Sequence, residues 1–225
     1  IIILFMAIIY GDLPYGYDLG PLWDQRCYTM EELVQILRGI NIRNTSPFHV
    51  VVLWINPSQL NVVTEALIET GHDNVMTMFW NKVGNRPPVP AHRLASITEQ
   101  CVVAYSKGMT QYSTCLNLPP DILHRGNMMM SKGLHTLTKN LSGEDINRFE
   151  KPPWIAQHLI TLLTKPGAEV IVLGSGAGGD VKGILNAGRD CLAIESDTKQ
   201  YDAMVAHMLD YKPVCQLEEI IPTEE

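Results

Sequence analysis

The sequence predicts an α/β fold, a mostly parallel twisted sheet with helices on both faces. Three observations carry this. Short apolar runs rich in β-branched residues, such as FHVVVLWIN and EVIVL, recur along the chain; stretches with apolar residues at helical spacing lie between them; glycine or proline punctuates the junctions. Strands that alternate with helices of this length form βαβ units, whose crossovers cover a parallel sheet on both sides.

The first ten residues, IIILFMAIIY, are uniformly apolar. They are too short to span a bilayer and lack the basic segment that opens a signal peptide, so they read as a central strand buried on both faces. The sequence begins on this strand without an initiator methionine, as a trimmed chain would. In YTMEELVQILRGI, Thr29 and Glu32 form a T-x-x-E capping box ahead of Leu33, Ile36, Leu37 and Ile40 at helical spacing. FHVVVLWIN is a second buried strand, and a helix from about Ser58 should stop before Gly71, a good left-handed terminator. NVMTMFWNK and QCVVAYSKG read as strands, separated by the proline-rich loop GNRPPVPAHR. Residues 107 to about 148 show neither period and predict a long irregular excursion. Regularity returns with the helix PPWIAQHLITLLTK, with Ile155, Leu159, Leu162 and Leu163 on one face, broken by Pro166-Gly167. The strand EVIVLGSG, a helix near DVKGILNAG, the strand CLAIES and the helix TKQYDAMVAHMLDY follow, the last with Tyr201, Met204, Val205 and Met208 as its apolar stripe.

With 225 residues and 46% apolar content, one core can bury most of the chain. A single domain over 1–225 is therefore expected, with about 106–148 as a variable insertion that could contact a target. The cysteines Cys27, Cys101, Cys115, Cys191 and Cys215 are scattered, without a C-x-x-C pair or zinc spacing. Neither a disulfide framework nor a metal site is predicted, and a reducing, intracellular location follows. A net charge of −7 excludes a protein that holds nucleic acid by bulk electrostatics, because such affinity comes from Lys and Arg neutralising phosphates. Any contact must be local, and small basic groups exist at Lys82, Arg86, His92 and Arg93 and again at His124, Arg125, Lys132 and Lys139.

In sheets of this kind ligands bind outside the carboxyl ends of the strands, where the winding reverses. VLGSGAGGD places Gly174, Ser175, Gly176, Gly178 and Gly179 between a strand and a helix, where backbone N–H groups can approach a ligand. CLAIESD ends in Glu195, about 20 residues on, where a carboxylate can accept from ribose hydroxyls. Together they point to a ligand with an adenosine moiety. The glycine spacing departs from G-x-G-x-x-G, and no Lys-Ser/Thr follows it, so neither a dinucleotide fingerprint nor a Walker loop is present. The first strand ends in Asp12, Leu13, Pro14 and Tyr15, which taken alone is a common turn.

The ordered set DLPY, GSGAGGD and AIESD resembles the amino-methyltransferases of the DNA N6-adenine and N4-cytosine type, whose catalytic motif is usually D-P-P-Y. Having the catalytic motif first is similar to the permuted β group, and the run from FEKPPW to AIESD looks like that group's cofactor segment. The resemblance covers nearly the whole chain. It implies a Rossmann-like methyltransferase fold, S-adenosyl-L-methionine (SAM) as methyl donor and a nucleic-acid substrate, DNA before RNA. It also implies site roles. Asp12 and the carbonyl of Leu13 or Pro14 would hold the exocyclic amine, Tyr15 would stack on a flipped base, and Lys151, Gly174, Ser175, Gly176, Gly178 and Glu195 would bind the cofactor. Apart from the resemblance, Lys82, Arg86 and Arg93 of the small basic group are the candidate nucleic-acid contacts, and the short variable region leaves target recognition to a partner subunit or a missing flanking segment. The chain departs from the family at Leu13, where proline is usual, and at Val172, Leu173 and Gly174, where the family has D-P-F. Adenine is favoured by Asp12; cytosine N4, RNA adenine and a noncatalytic scaffold of the same fold are the alternatives. A nucleotide-dependent oxidoreductase would explain the glycine loop but not DLPY.

Overall fold

The computed structural model describes residues 7–16, 25–43, 49–83, 98–107, 128–132, 138–139, 145–147, 150–209 and 211–212. The first strand, β1 (Ala7–Asp12), carries Ile8, Ile9 and Tyr10 almost fully buried on alternate faces, as a central strand must. Helix α1 (Met30–Arg43) begins at the predicted capping box: Glu32 N donates to Thr29 Oγ1 and Thr29 N to Glu32 Oε2. Strand β2 (His49–Ile55) leads through a 3-10 turn at Pro57–Gln59 into α2 (Leu60–Glu69), and Gly71 follows at φ +86°. Next come β3 (His72–Val83) and β4 (Thr98–Ser106). The loop GNRPPVPAHR lies outside the described residues.

The expected irregular excursion contains more structure than its sequence suggests. Met128–Lys132 forms β5, parallel to β3, and Thr138–Lys139 (β6) pairs with Asp145–Asn147 (β7). MMMSK has no β-branched residue, so its strand conformation comes from the neighbour it pairs with and not from local preference. The remaining elements fall where predicted: α3 (Pro153–Leu163), β8 (Glu169–Leu173), α4 (Gly179–Asn186), β9 (Asp190–Ile194) and α5 (Thr198–Leu209).

The main sheet has the order β5-β3-β4-β2-β1-β8-β9, and every pairing is parallel except those of β4, which runs against both β2 and β3. One face buries Tyr10, Val52, Trp54, Val103 and Val172 under Ile155 and Leu159 of α3 and Ile184 of α4. The other buries Ile9, Leu53, Val102 and Ile171 under Leu33 and Leu37 of α1 and Val63 and Leu67 of α2. Helices α3 and α4 touch closely at Gly183, where an added Cβ would lie 2.1 Å from the Pro153 carbonyl. The stripe expected on α5 is only partly covered. Met204 is buried, but Tyr201 and Val205 remain 45% and 39% exposed, because β9 is the last strand of the described sheet. Among the described residues no helix is long and apolar enough to cross a membrane.

Candidate active site

The winding reverses between β1 and β8. From β1 the chain moves outward to β2, whereas β8 leads the other way to β9, and the two strands lie side by side with Gly11 opposite Leu173. Their carboxyl ends therefore deliver DLPY and the glycine loop to one place, though about 160 residues separate them. The contact is tight. Gly174 has φ +68°, and a Cβ on it would stand 2.7 Å from the Asp12 carbonyl oxygen, so only glycine fits.

The tetrapeptide is braced from below. Leu13 N donates to the Trp54 carbonyl at 3.1 Å, continuing the β1–β2 ladder one residue beyond the strand. Gln59 Nε2 donates to the Pro14 carbonyl at 3.2 Å and Asn56 Nδ2 to the Tyr15 carbonyl at 2.9 Å. Asn56 and Gln59 are themselves fixed by a reciprocal capping box at the 3-10 turn. Of the two carbonyls expected to face an amine, that of Pro14 is thus already engaged by a side chain.

Charge gathers on the same face of the sheet. Lys151, which precedes the Pro152-Pro153 start of α3, is 3% exposed, and its ammonium lies 2.5 Å from Asp12 Oδ1 and 3.4 Å from Glu99 Oε2. It also sits 5.3 Å from the centre of the Tyr15 ring and 5.1 Å from that of Trp54, within cation–π range. Glu99 reaches this edge only because β4 is antiparallel, which brings the strand's amino end beside the carboxyl ends of its neighbours. Its carboxylate accepts from Tyr15 Oη at 3.3 Å and pairs with Lys82, whose ammonium lies 5.0 Å from the Trp80 ring centre. Beneath Asp12, Trp54 Nε1 donates to Tyr10 Oη at 2.7 Å, and Tyr10 Oη donates to Asp180 Oδ1 at 3.3 Å.

The proton affinities follow from this enclosure. Burial pushes the Lys151 ammonium down, but Asp12, Tyr15 and Glu99 outweigh it and hold the group well above the ordinary lysine value. For Glu99, burial is overcome by Lys151 and Lys82, and its carboxyl stays below the usual value. Asp180 is pushed up to about 7, by burial first and by Asp12 next, against a smaller opposing pull from Lys151. Burial raises Tyr15 well above its usual value despite Lys151.

Around the glycine loop, Glu195 Oε2 accepts from Gly176 N at 2.7 Å, and Oε1 accepts from Ser196 N and Asp197 N at 2.8 Å each. The end of β9 thereby braces the loop that follows β8. Gly178, at φ +100°, caps α4 in the left-handed conformation. Ser175 is 4% exposed, and its Oγ has no hydrogen-bond partner among the described residues. A buried hydroxyl left open in a braced glycine loop fits a site made for a polar ligand.

The predicted residues thus form two adjoining groups: Asp12, Leu13, Pro14 and Tyr15 on one, Gly174, Ser175, Gly176, Gly178 and Glu195 on the other. Lys151, expected with the cofactor group, faces Asp12. Lys82 lies inside the site, paired with Glu99, while Arg86 and Arg93 lie outside the described residues. Sequence reasoning missed Glu99, Asp180, Asn56 and Gln59. The N-x-x-Q spacing of a capping box and the Asp directly after the glycine loop were available signals for three of them; nothing local marked Glu99. Among the described residues no cluster of three or more His, Cys, Asp or Glu side chains could hold a metal.

No protein-family model matches the sequence, and no curated protein matches it at a significant level. The fold is nevertheless that of DNA methyltransferases. The structure of M1.HpyAVI in complex with SAM superposes with a TM-score of 0.65 at 18% identity, over 89% of this chain and 88% of that one. TTHA0409 of Thermus thermophilus, a candidate DNA modification methylase solved with S-adenosyl-L-methionine, gives 0.60 at 18%, over 91% and 85%. The cytosine-N4-specific PvuII DNA methyltransferase gives 0.64 at 14%, over 93% and 81%.

Proposed function

We propose that the protein is a SAM-dependent methyltransferase acting on the exocyclic N6 amine of adenine in DNA, with residues 1–225 as one catalytic domain. The observation that carries this is the meeting of Asp12 and Gly174 at the switch point between β1 and β8, which sets a polar strand end against a glycine loop. The loop fits the donor: Ser175 Oγ is buried with no partner among the described residues, and Gly174, Gly176 and Gly178 keep side chains off the backbone. When bound, SAM supplies an electrophilic methyl group on a sulfonium.

The chain's task is to make an amine nucleophilic. A base amine is a poor nucleophile because its lone pair is delocalised into the ring. Asp12 and the Leu13 carbonyl, the acceptor not engaged by Gln59, would hold its two protons and favour a pyramidal nitrogen aimed at the donor. The lone pair becomes the new N–C bond as the C–S pair returns to sulfur. The nitrogen is then acidic, so its surplus proton passes to Asp12 Oδ and on to solvent without a strong base. Tyr15 would stack on the flipped base, offsetting the few kcal/mol that flipping costs. Arg86 and Arg93 are proposed phosphate contacts, and a partner subunit or a flanking segment is proposed to complete target recognition, since the variable region of about 106–148 is short. The likeness to PvuII DNA methyltransferase favours cytosine N4 as the second reading.

Calorimetry with SAM tests the donor half. The wild type should bind, and Glu195→Ala should weaken binding by about 1–3 kcal/mol, the scale of lost hydrogen bonds to a charged acceptor. An unchanged dissociation constant would remove Glu195 from the site.

A further inference from the structure

We infer that the Lys151 ammonium is a placeholder for the substrate amine, seated on Asp12 until a base arrives, and that Glu99 is the positioning residue that then receives it. The inference rests on the proposed role of Asp12. A base would present an N–H donor to Asp12 and a flat face to Tyr15. Lys151 already makes both contacts, with its Nζ 2.5 Å from Asp12 Oδ1 and 5.3 Å from the Tyr15 ring centre. Base and ammonium therefore compete for one seat.

Where the ammonium goes is set by its burial. Its side chain is only 2% exposed, so release to water would require the buried segment before α3 to open, and release to nothing would leave an unpaired charge in the interior. Glu99 Oε2 lies 3.4 Å from Nζ, within ion-pair reach before any movement. The same oxygen accepts from Tyr15 Oη at 3.3 Å, so the carboxylate that takes the lysine also holds the ring on which the base would stack. Lys82 pairs with the other oxygen, Oε1, and fixes Glu99 from the far side. Remove the charge of Glu99, and Lys151 loses the carboxylate that lies within ion-pair reach beside Asp12.

The test is single-turnover methyl transfer to an adenine-containing duplex oligonucleotide, at saturating SAM and saturating oligonucleotide. Glu99→Gln should slow transfer about tenfold, within the range of coupling between contacting residues, with SAM affinity held. Adding Lys151→Met removes the competitor for Asp12, so the double variant should be faster than Glu99→Gln alone, a reversal that a purely structural role would not produce. Glu99→Asp keeps the receiving charge and should retain most of the rate even if the double variant does not fold. A double variant slower than Glu99→Gln, or Glu99→Asp as slow as Glu99→Gln, overturns the inference while leaving methyl transfer intact. A wild type that binds SAM but methylates neither adenine nor cytosine overturns the functional reading and the inference with it.

Discussion

Asp180 shows how the site balances its charge. Four carboxyl groups, Asp12, Glu99, Glu150 and Asp180, act in one neighbourhood with two ammonium groups, Lys82 and Lys151, and Asp180 is the most deeply enclosed. Burial first, and the carboxylates of Asp12 and Glu150 after it, push its carboxyl up to about 7, and a proton there relieves the surplus. The unfolded chain would release that proton near pH 3.9. The folded state therefore holds more protons between about pH 4 and pH 7: the contribution to stability is complete below about 4 and is lost as pH rises through about 7. Asp180→Asn keeps a partner for Tyr10 Oη and removes the titration. Urea unfolding should show the wild type losing stability between about pH 4 and pH 7, with a flatter dependence in the variant; equal slopes would place the titration elsewhere. This residue was poorly legible beforehand, because its chemistry comes from burial against β1 and not from its neighbours in sequence.

Elements differed in legibility according to whether their cause is local. The capping box of α1 is a four-residue signal, and both of its hydrogen bonds form at Thr29 and Glu32. Helix α1 packs on the sheet face opposite Lys151 and Glu99, so Thr29→Ala should cost about 1 kcal/mol of stability, the usual value of a lost cap, with methyl transfer unchanged below the melting transition. Thermal unfolding followed beside the transfer rate checks both; a slower reaction would mean that α1 communicates with the site. The direction of β4 had no such local cause. QCVVAYS reads the same either way, and only its insertion between β2 and β3 reverses it. That reversal carries Glu99 into the crevice, so one unreadable direction concealed one functional residue. The strand β5 was hidden for a related reason, since its methionines gain strand conformation only by pairing with β3.

The chain folds so that two halves of a reaction meet where neighbouring strands part company. The tetrapeptide and the glycine loop were both legible as motifs, and their order supplied the resemblance; their contact was not, because it depends on β8 returning to the edge of β1. Asp12 stands at that junction, bonded to Lys151 on one side and with its carbonyl against Gly174 on the other. The account therefore turns on one side chain. Asp12→Asn preserves shape while replacing an acceptor oxygen with a donor that faces the amine's own protons. The decisive measurement is single-turnover transfer of labelled methyl from SAM to an adenine-containing oligonucleotide, with SAM binding followed in parallel. Transfer should fall about 10²-fold or more, the scale of one lost preorganised polar contact, while SAM binding persists through the glycine loop and Glu195. A variant that transfers methyl as fast as the wild type would reduce DLPY to a turn and contradict the mechanism.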